Sequence, residues 1–599
     1  MGDCPLDING NCSRGDQNTA VGASAGRDNT TGAANTFLGH DAGKSNTTGS
    51  ENVIIGSGAG SVNQTGGANI FIGQASGRSN QSGSLNVFIG EASGNQNVGG
   101  SKNVAIGEDA GYEGVNGQLN TYLGFRSGRE LASNSSGNVA VGAMALYGNP
   151  EFTSHNSVAV GDSSLYALTS GQENTAIGSN SMLNTTTGNA NTALGYHTLR
   201  SNTSGLGNVA IGQRTMIANT QGYSNTAVGF HAMSGNTLGN HNTAVGEGAL
   251  EGNSTGSNNV AIGDDAALNL DGHFNVAIGQ AALFSSLNDS RTVAVGDSAL
   301  FSNGLEQETE EHGTNNTAVG SKALRSNRQG YDLTSLGFEA GILTNGIGHT
   351  FLGTRAGHTS RFGTGSTYVG ADAGALDANG VANTYLGYRA GVALGDPDGN
   401  NVIVGAFAAE QAEIGAQNVM VGNNSGQFSA SNNNVFVGFN TGAVNVSEGS
   451  NTFLGDNAGT GNSEGGSNVF VGAFAGAADG GSFNVFVGDG AGQQSTGNSS
   501  VFLGFRAGFN ESTDNRLYIE NSDAGDPLIY GEFDNNKVEI NGSLEVSTTT
   551  GGFITPRLTA TQAGAITAEN GLIIYLTDTD AIFPQRGFWG YEEGFWVKL

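Results

Sequence analysis

Few residues in this chain have types and spacings that could do chemistry, and most of them gather at its two ends. Near the start, Cys4 and Cys12 stand in one short polar segment with no histidine beside them. Such a pair suits a local disulfide that caps the first structural unit outside a cell, or two free thiols without a role; both stay open at this point. Between them Asp7, Asn9, Gly10 and Asn11 faintly follow a calcium loop, but the closing glutamate is missing, which leaves a plain turn. Arg14-Gly15-Asp16 spells an integrin-type tripeptide, a chance match in a chain of this composition. Farther on, Glu306, Glu308, Glu310 and Glu311 read as a solvated loop, with a cation site as the lesser reading. At the far end, Phe588, Trp589, Tyr591, Phe595 and Trp596 bring both tryptophans into the last eleven residues. Rings in such a cluster grip sugars or protein surfaces, or form a small apolar cap that closes an assembly.

Nothing here adds up to catalysis. The nine histidines, among them His40, His155, His231 and His349, are scattered and read as turn or surface residues. No Gly-x-x-x-x-Gly-Lys-Ser/Thr loop occurs, and chance glycine fingerprints are followed by no crossover helix. Asn-x-Ser/Thr triplets follow from turn composition and do not establish glycosylation. The expectation is a protein that is not an enzyme, with no cofactor and no metal. A net charge of −30 excludes the basic stripe of a nucleic-acid binder and disfavours anionic membranes. No apolar run approaches the ~20 residues of a membrane-spanning helix. The first residues hold no apolar signal core, so the expected route out of a cell is a removed signal or release by lysis.

The elements that must position these residues are set by a repeat. Asn-Thr-Ala-Val-Gly begins at Asn18, and its closing glycine recurs at Gly22, Gly39, Gly56, Gly73, Gly90, Gly107 and Gly124, then on to Gly504. These are 29 glycines with a mean spacing of about 17.2 residues. Short β-favouring triplets such as Thr36-Phe37-Leu38 precede each glycine, and a second Gly/Asn turn follows about ten residues later. That is one rung of a solenoid. Glycine is too frequent, and a 3.6-residue apolar period too absent, for helices. Pro150 and Pro397 fall only in lengthened units, where a missing N–H harms no ladder.

Two positions in the unit compensate each other. Where the residue two before the closing glycine is bulky, as at Phe453, the residue four after it is glycine, as at Gly459, in 14 of 15 units, Ala409 being the other. Where the first is small, as at Ala140, the second is Leu or Met in ten of 14 units, as at Leu146. Two side chains sharing one space in a close-packed interior explain both halves of the pattern. Triplets such as Phe453-Leu454 are apolar on both faces, so one face fills the coil and the other needs cover. Three identical chains supply that cover; a single chain with a wider lumen is the alternative.

The predicted fold is therefore all-β: a parallel β-solenoid of about 29 coils of roughly 17 residues, packed as a homotrimer, with a small C-terminal β tip. Its 28 steps give a shaft of roughly 135 Å. Expected divisions are an N-terminal joint or cap (1–17), the shaft (18–508), a transition segment (509–546) and the tip (547–599).

The Asn-Thr-Ala-Val-Gly and Asn-Val-Ala-Ile-Gly units resemble the left-handed β-roll heads of trimeric autotransporter adhesins and the repeat shafts of phage tail fibres, although the adhesin period is shorter. Asn515-Arg516-Leu517-Tyr518-Ile519-Glu520, Pro527-Leu528-Ile529-Tyr530-Gly531 and Thr555-Pro556-Arg557-Leu558 are similar to segments that end tail-fibre shafts and Bacteroidetes-type surface proteins. The chaperone domain that follows such segments in some tailspikes is absent, as is an adhesin's anchoring barrel, so trimerisation is expected from solenoid and tip. The resemblance implies an extracellular attachment fibre on a virion or phage-like particle. Its N-terminus would join a base or anchoring protein, and its tip would meet a cell-surface glycan or protein receptor. The alternative is a bacterial surface adhesin or appendage subunit. A polysaccharide-degrading tailspike is the least supported, since it needs paired carboxylates on a concave face.

Overall fold

A computed structural model describes residues 17–151, 153–305, 312–392, 399–411, 415–446, 448–478, 480–547 and 551–599. Cys4, Cys12, the Asp7–Asn11 turn, Arg14-Gly15-Asp16, the four glutamates at 306–311 and Pro397 lie outside the described residues.

One three-residue strand stands in each of 29 coils, from β1 (Thr19–Val21) to β29 (Val501–Leu503). Each pairs in parallel with the next in unslipped register, Thr19 with Thr36 and Ala20 with Phe37 at one end, Phe486 with Phe502 at the other. The ladder then continues one rung beyond residue 508: β30 (Arg516–Ile519) pairs in parallel with β29, setting Tyr518 on Phe502. Two antiparallel strands, β31 (Ile529–Glu532) and β32 (Lys537–Ile540), close that end of the sheet. Among the described residues the chain is all-β apart from one six-residue helix near its end.

The closing glycine is obligatory for two reasons. Its φ is +134° at Gly22, outside the range of L side chains, and a Cβ there would lie 2.4 Å from the carbonyl oxygen of Gly39. The same collision recurs up the column, so each coil's backbone rests on the next at the point where any side chain would intrude.

The middle residue of each strand points inward. Phe37, Ile54, Phe71, Ala140 and Phe453 are all buried. Near the C-terminal end the rings form a column, Phe436, Phe453, Phe470, Phe486 and Phe502, with centroids 4.5–5.0 Å apart and planes within 12° of parallel. The flanking strand residues point outward, and Leu123, Leu386 and Leu454 are 44–48% exposed. The second apolar face thus lies on the outside of the coil and lines no lumen.

Compensation is direct contact. A Cβ on Gly459 would come within 2.3 Å of the Phe453 ring, whereas Leu146 fills that place beside Ala140 and both are fully buried. The structure also accounts for three of the four units with two small residues. Gly26, Gly111 and Gly341 lie under the ring of the following coil, and a Cβ there would meet Phe37, Tyr122 and Phe351 at 2.6–2.7 Å. The shared volume belongs to three positions, two of them in adjacent coils. In the fourth unit, Ala261 with Ala267, Leu270 is itself fully buried.

Asparagines, read from sequence as turn formers, build the interior's polar half. Asn208 accepts the Asn225 N–H at its Oδ1 (3.0 Å) and donates from Nδ2 to the Gly222 carbonyl (2.8 Å) and to Asn191 Oδ1 (3.1 Å). A second column runs beside it: Asn219 Nδ2 donates to Asn202 Oδ1 (2.9 Å) and to the same Gly222 carbonyl (3.1 Å). All these residues are buried, so each amide satisfies backbone groups that water cannot reach.

One histidine departs from the turn-and-surface reading. His349 is fully buried because it occupies a ladder-asparagine position, where its Nδ1 accepts the Ser366 N–H (3.1 Å) and its ring stacks on Phe351 at 5.3 Å. Burial pulls its pKa down to about 4, against the pull of nearby backbone hydrogen bonds.

Candidate functional site

The aromatic cluster of the tip is placed by a four-stranded sheet and a short helix. β33 (Arg557–Leu558) runs parallel to β34 (Ile573–Leu576); β35 (Gly587–Glu592) and β36 (Phe595–Lys598) follow as antiparallel neighbours. Between β33 and β34, α1 (Ala560–Ala565) starts at a capping box: Thr559 Oγ1 accepts the Gln562 N–H, and Gln562 Oε1 accepts the Thr559 N–H.

Strand alternation divides the five aromatics between two faces. Trp589 is 6% exposed and packs with Ile574, Leu576, Phe583 and the helix alanines. Its indole N–H donates to the Gln585 carbonyl at 3.0 Å, which satisfies the one polar atom it carries inward. Tyr591 and Trp596, paired across β35 and β36, sit on the same face with rings 5.2 Å apart, and Trp596 also meets Phe583 edge-on at 5.5 Å. Phe588 and Phe595 lie on the other face, where Phe595 is 74% exposed. The structure therefore does not bring the five together as one contact patch.

The outward face is apolar across all three long strands except at the exposed Glu592, which pairs with Phe595 at its edge. Ile573 and Tyr575 of β34, Phe588 of β35, and Phe595, Val597 and Leu599 beside them share it by register and alternation. All but the half-buried Tyr575 are exposed. Sequence reasoning named only two of these six. The signal available was the alternation in Ile573-Ile574-Tyr575-Leu576, which assigns every second residue to each side. Among the described residues no cluster of His, Cys, Asp or Glu has the geometry to hold a metal ion, and no helix is long and apolar enough to cross a membrane.

The packing pairs Phe453 with Gly459 and Ala140 with Leu146 lie inside the shaft. They fix the spacing of the coils and offer nothing to a ligand.

No curated protein matches the chain. Residues 535–599, which span β32 and the whole tip sheet with its exposed apolar face, match the family model of a phage tail like trimerisation region.

Proposed function

We propose that the chain is the subunit of a homotrimeric, non-enzymatic attachment fibre of a phage-tail-like particle. The observation that carries this reading is the pair of uncovered apolar faces in a single chain. One runs the length of the shaft through the outward strand residues, such as Leu123, Leu386 and Leu454; the other spans the tip sheet from Ile573 to Leu599. Contiguous apolar surface of this extent marks association. Its presence on the segment that matches a trimerisation region supports three copies. Trp589 and Trp596 then act as the core of the tip, and the Phe588–Phe595 face closes against its copies. In this reading the residues before the first coil join the particle, and host contact falls to surfaces the trimer leaves open.

Light scattering on the intact protein tests the assembly: about three times the 60.5 kDa chain mass is expected. Phe588→Ser with Phe595→Ser should loosen the tip without unfolding the shaft. A monomer of the unaltered chain would overturn the trimer. Competition tests the role: purified fibre should reduce adsorption of the parent particle to its host, and no reduction at saturation would overturn attachment.

A further inference from the structure

The second asparagine column, to which Asn202 and Asn219 belong, is also present in the first coils, as Asn29, Asn46, Asn63, Asn80 and Asn97 at a constant 17 residues. All five are buried. Asn46 Nδ2 donates to Asn29 Oδ1 at 2.7 Å, and the same bond recurs up to Asn97, whose Nδ2 reaches Asn80 Oδ1 at 2.6 Å. Each of these nitrogens also donates to the glycine carbonyl three residues on, that of Gly100 for Asn97, at 3.1 Å.

The column stops at residue 114, where the next coil supplies glycine. Asn97 Oδ1 is shut off from solvent and has no hydrogen-bond donor among the described residues. A buried acceptor in that condition costs free energy until a donor reaches it. Gly114 leaves room for one. Its φ lies outside the left-handed region, so the backbone does not require glycine, and a Cβ there would meet only the Gly111 carbonyl oxygen, at 3.6 Å. The cavity at this place is lined by Asn97 and Gly114 together with Phe88, Asn103, Asn120 and Tyr122. It gives the centre of a water molecule about 10 Å³, close to the least that one water requires. Asn103 offers a second bond. Its Nδ2 donates once among the described residues, to the Gly117 carbonyl at 2.8 Å, whereas Asn120 Nδ2 donates to both Asn103 Oδ1 and the Ser135 carbonyl.

The run that starts at Asn202 ends differently. Asn253 Oδ1, the acceptor of its last member, is likewise buried without a donor among the described residues. There the next coil supplies Leu270, which is fully buried. The two ends share an orphaned acceptor and differ in the room beside it.

We infer that the Gly114 cavity binds one structural water, which donates a hydrogen bond to Asn97 Oδ1 and accepts one from the second N–H of Asn103 Nδ2. It stands in for the amide that the column lacks at residue 114. Phe88 walls the cavity, and the small volume excludes a larger ligand. The following coil is lengthened, since Gly124 and Gly142 stand 18 residues apart, and the buried Leu131 takes the column position in it. The water thus ends the column one coil before the repeat changes length. The site lies inside a single chain and holds whether that chain is alone or in a trimer.

A density map of the full-length fibre, resolved well enough to show ordered waters, tests it together with maps of two variants. In the unaltered fibre a water is expected about 2.5–3.0 Å from Asn97 Oδ1, and none beside Asn253 Oδ1. Gly114→Asn should expel it, with the introduced amide bonding Asn97 Oδ1 as Asn97 bonds Asn80. Leu270→Gly should admit a water beside Asn253 Oδ1; should that larger change unfold its coil, the other two maps decide. A map that resolves waters elsewhere in the shaft but none beside Asn97 would overturn the proposal. So would a water that keeps its place in Gly114→Asn, one of equal occupancy beside Asn253 in the unaltered fibre, or a folded Leu270→Gly that admits none.

Discussion

Replacing Gly459 by leucine in the coil that already holds Phe453 should overpack one rung by a predictable amount. A Cβ at 459 meets the Phe453 ring at 2.3 Å, well inside contact distance. Backbone conformation is not the obstacle: φ is +59° at Gly459, and leucine holds +49° at Leu146, +52° at Leu300 and +50° at Leu324 in the equivalent place. The cost is therefore steric, ~1–3 kcal/mol per chain, with a further ~0.5–1.5 kcal/mol if Phe453 is pushed out of its stack. Phe453→Ala alone opens a cavity and should cost ~3–5 kcal/mol. Independent sites would make the double variant worse than either single one, at roughly 4–8 kcal/mol. Shared space predicts less than that sum. Leucine fills part of what the ring leaves, as it does beside Ala140, but the Phe470 ring of the following coil still lies over position 459 as Phe37 lies over Gly26, so the relief is partial and the double variant should lose clearly less than the two single losses added. In a solenoid each coil contacts only its neighbours, so a global melt dilutes the effect. Hydrogen exchange at the amides of residues 436–476 reads the local opening free energy directly. A loss of protection in the double variant equal to the two single losses added would refute the shared space.

Three further outcomes follow from the same interior. Gly246→Ala places a Cβ 2.1 Å from the Gly263 carbonyl oxygen at φ +143°, and should cost at least ~3 kcal/mol locally; Gly58→Ala, with open space around it and a φ of +65°, should cost only ~1–2 kcal/mol, and equal losses of exchange protection would undermine the stacked-glycine account. Asn208→Leu orphans the Asn225 N–H and should cost ~2–3 kcal/mol. Asn208→Ser should cost less, because Ser157 and Ser366 already accept the following coil's N–H, at 3.3 and 3.2 Å; chemical denaturation that fails to separate leucine from serine would count against the ladder. For His349 the folded pKa of about 4 lies below the unfolded value of ~6.5, so the unfolded chain binds the extra proton. Stability should be constant above pH ~6.5, fall by up to ~3 kcal/mol per chain towards pH ~4, and level off below. His349→Asn, which restores the ladder residue, should remove that component, and an acid profile unaltered by the substitution would refute it.

How legible each feature was in the sequence depends on whether its cause repeats within one unit. The strand phase and coil length were readable because the Gly22–Gly39 contact admits no side chain, so the constraint writes one residue type at one spacing. The Phe453–Gly459 exchange was readable because both partners lie in one coil. Gly26 looked like an exception because its partner, Phe37, lies in the next coil, and a comparison confined to one unit could not include it. Asparagine burial was hidden for a similar reason: its amide is a turn former locally and an interior group only when the following coil brings an N–H to it. His349 followed from that miss. In the tip, five aromatics close in sequence suggested one patch, but strand alternation sends Trp589 inward and Phe588 outward.

The unslipped register has a consequence for the gene as well as the protein. From Asn208 to Asn259 the coils repeat at a constant 17 residues, and each asparagine accepts its successor's N–H at its Oδ1, at 2.9–3.0 Å. Excising residues 209–259 would join Asn208 to Val260 and recreate the Asn-Val junction already present at Asn208-Val209 and Asn259-Val260. The fibre would be about 14 Å shorter and chemically seamless. Duplication would lengthen it in the same increments. Unequal recombination between near-identical coding segments is thus buffered by the architecture, and fibre reach becomes a quantity that selection can tune in discrete steps without redesigning either end.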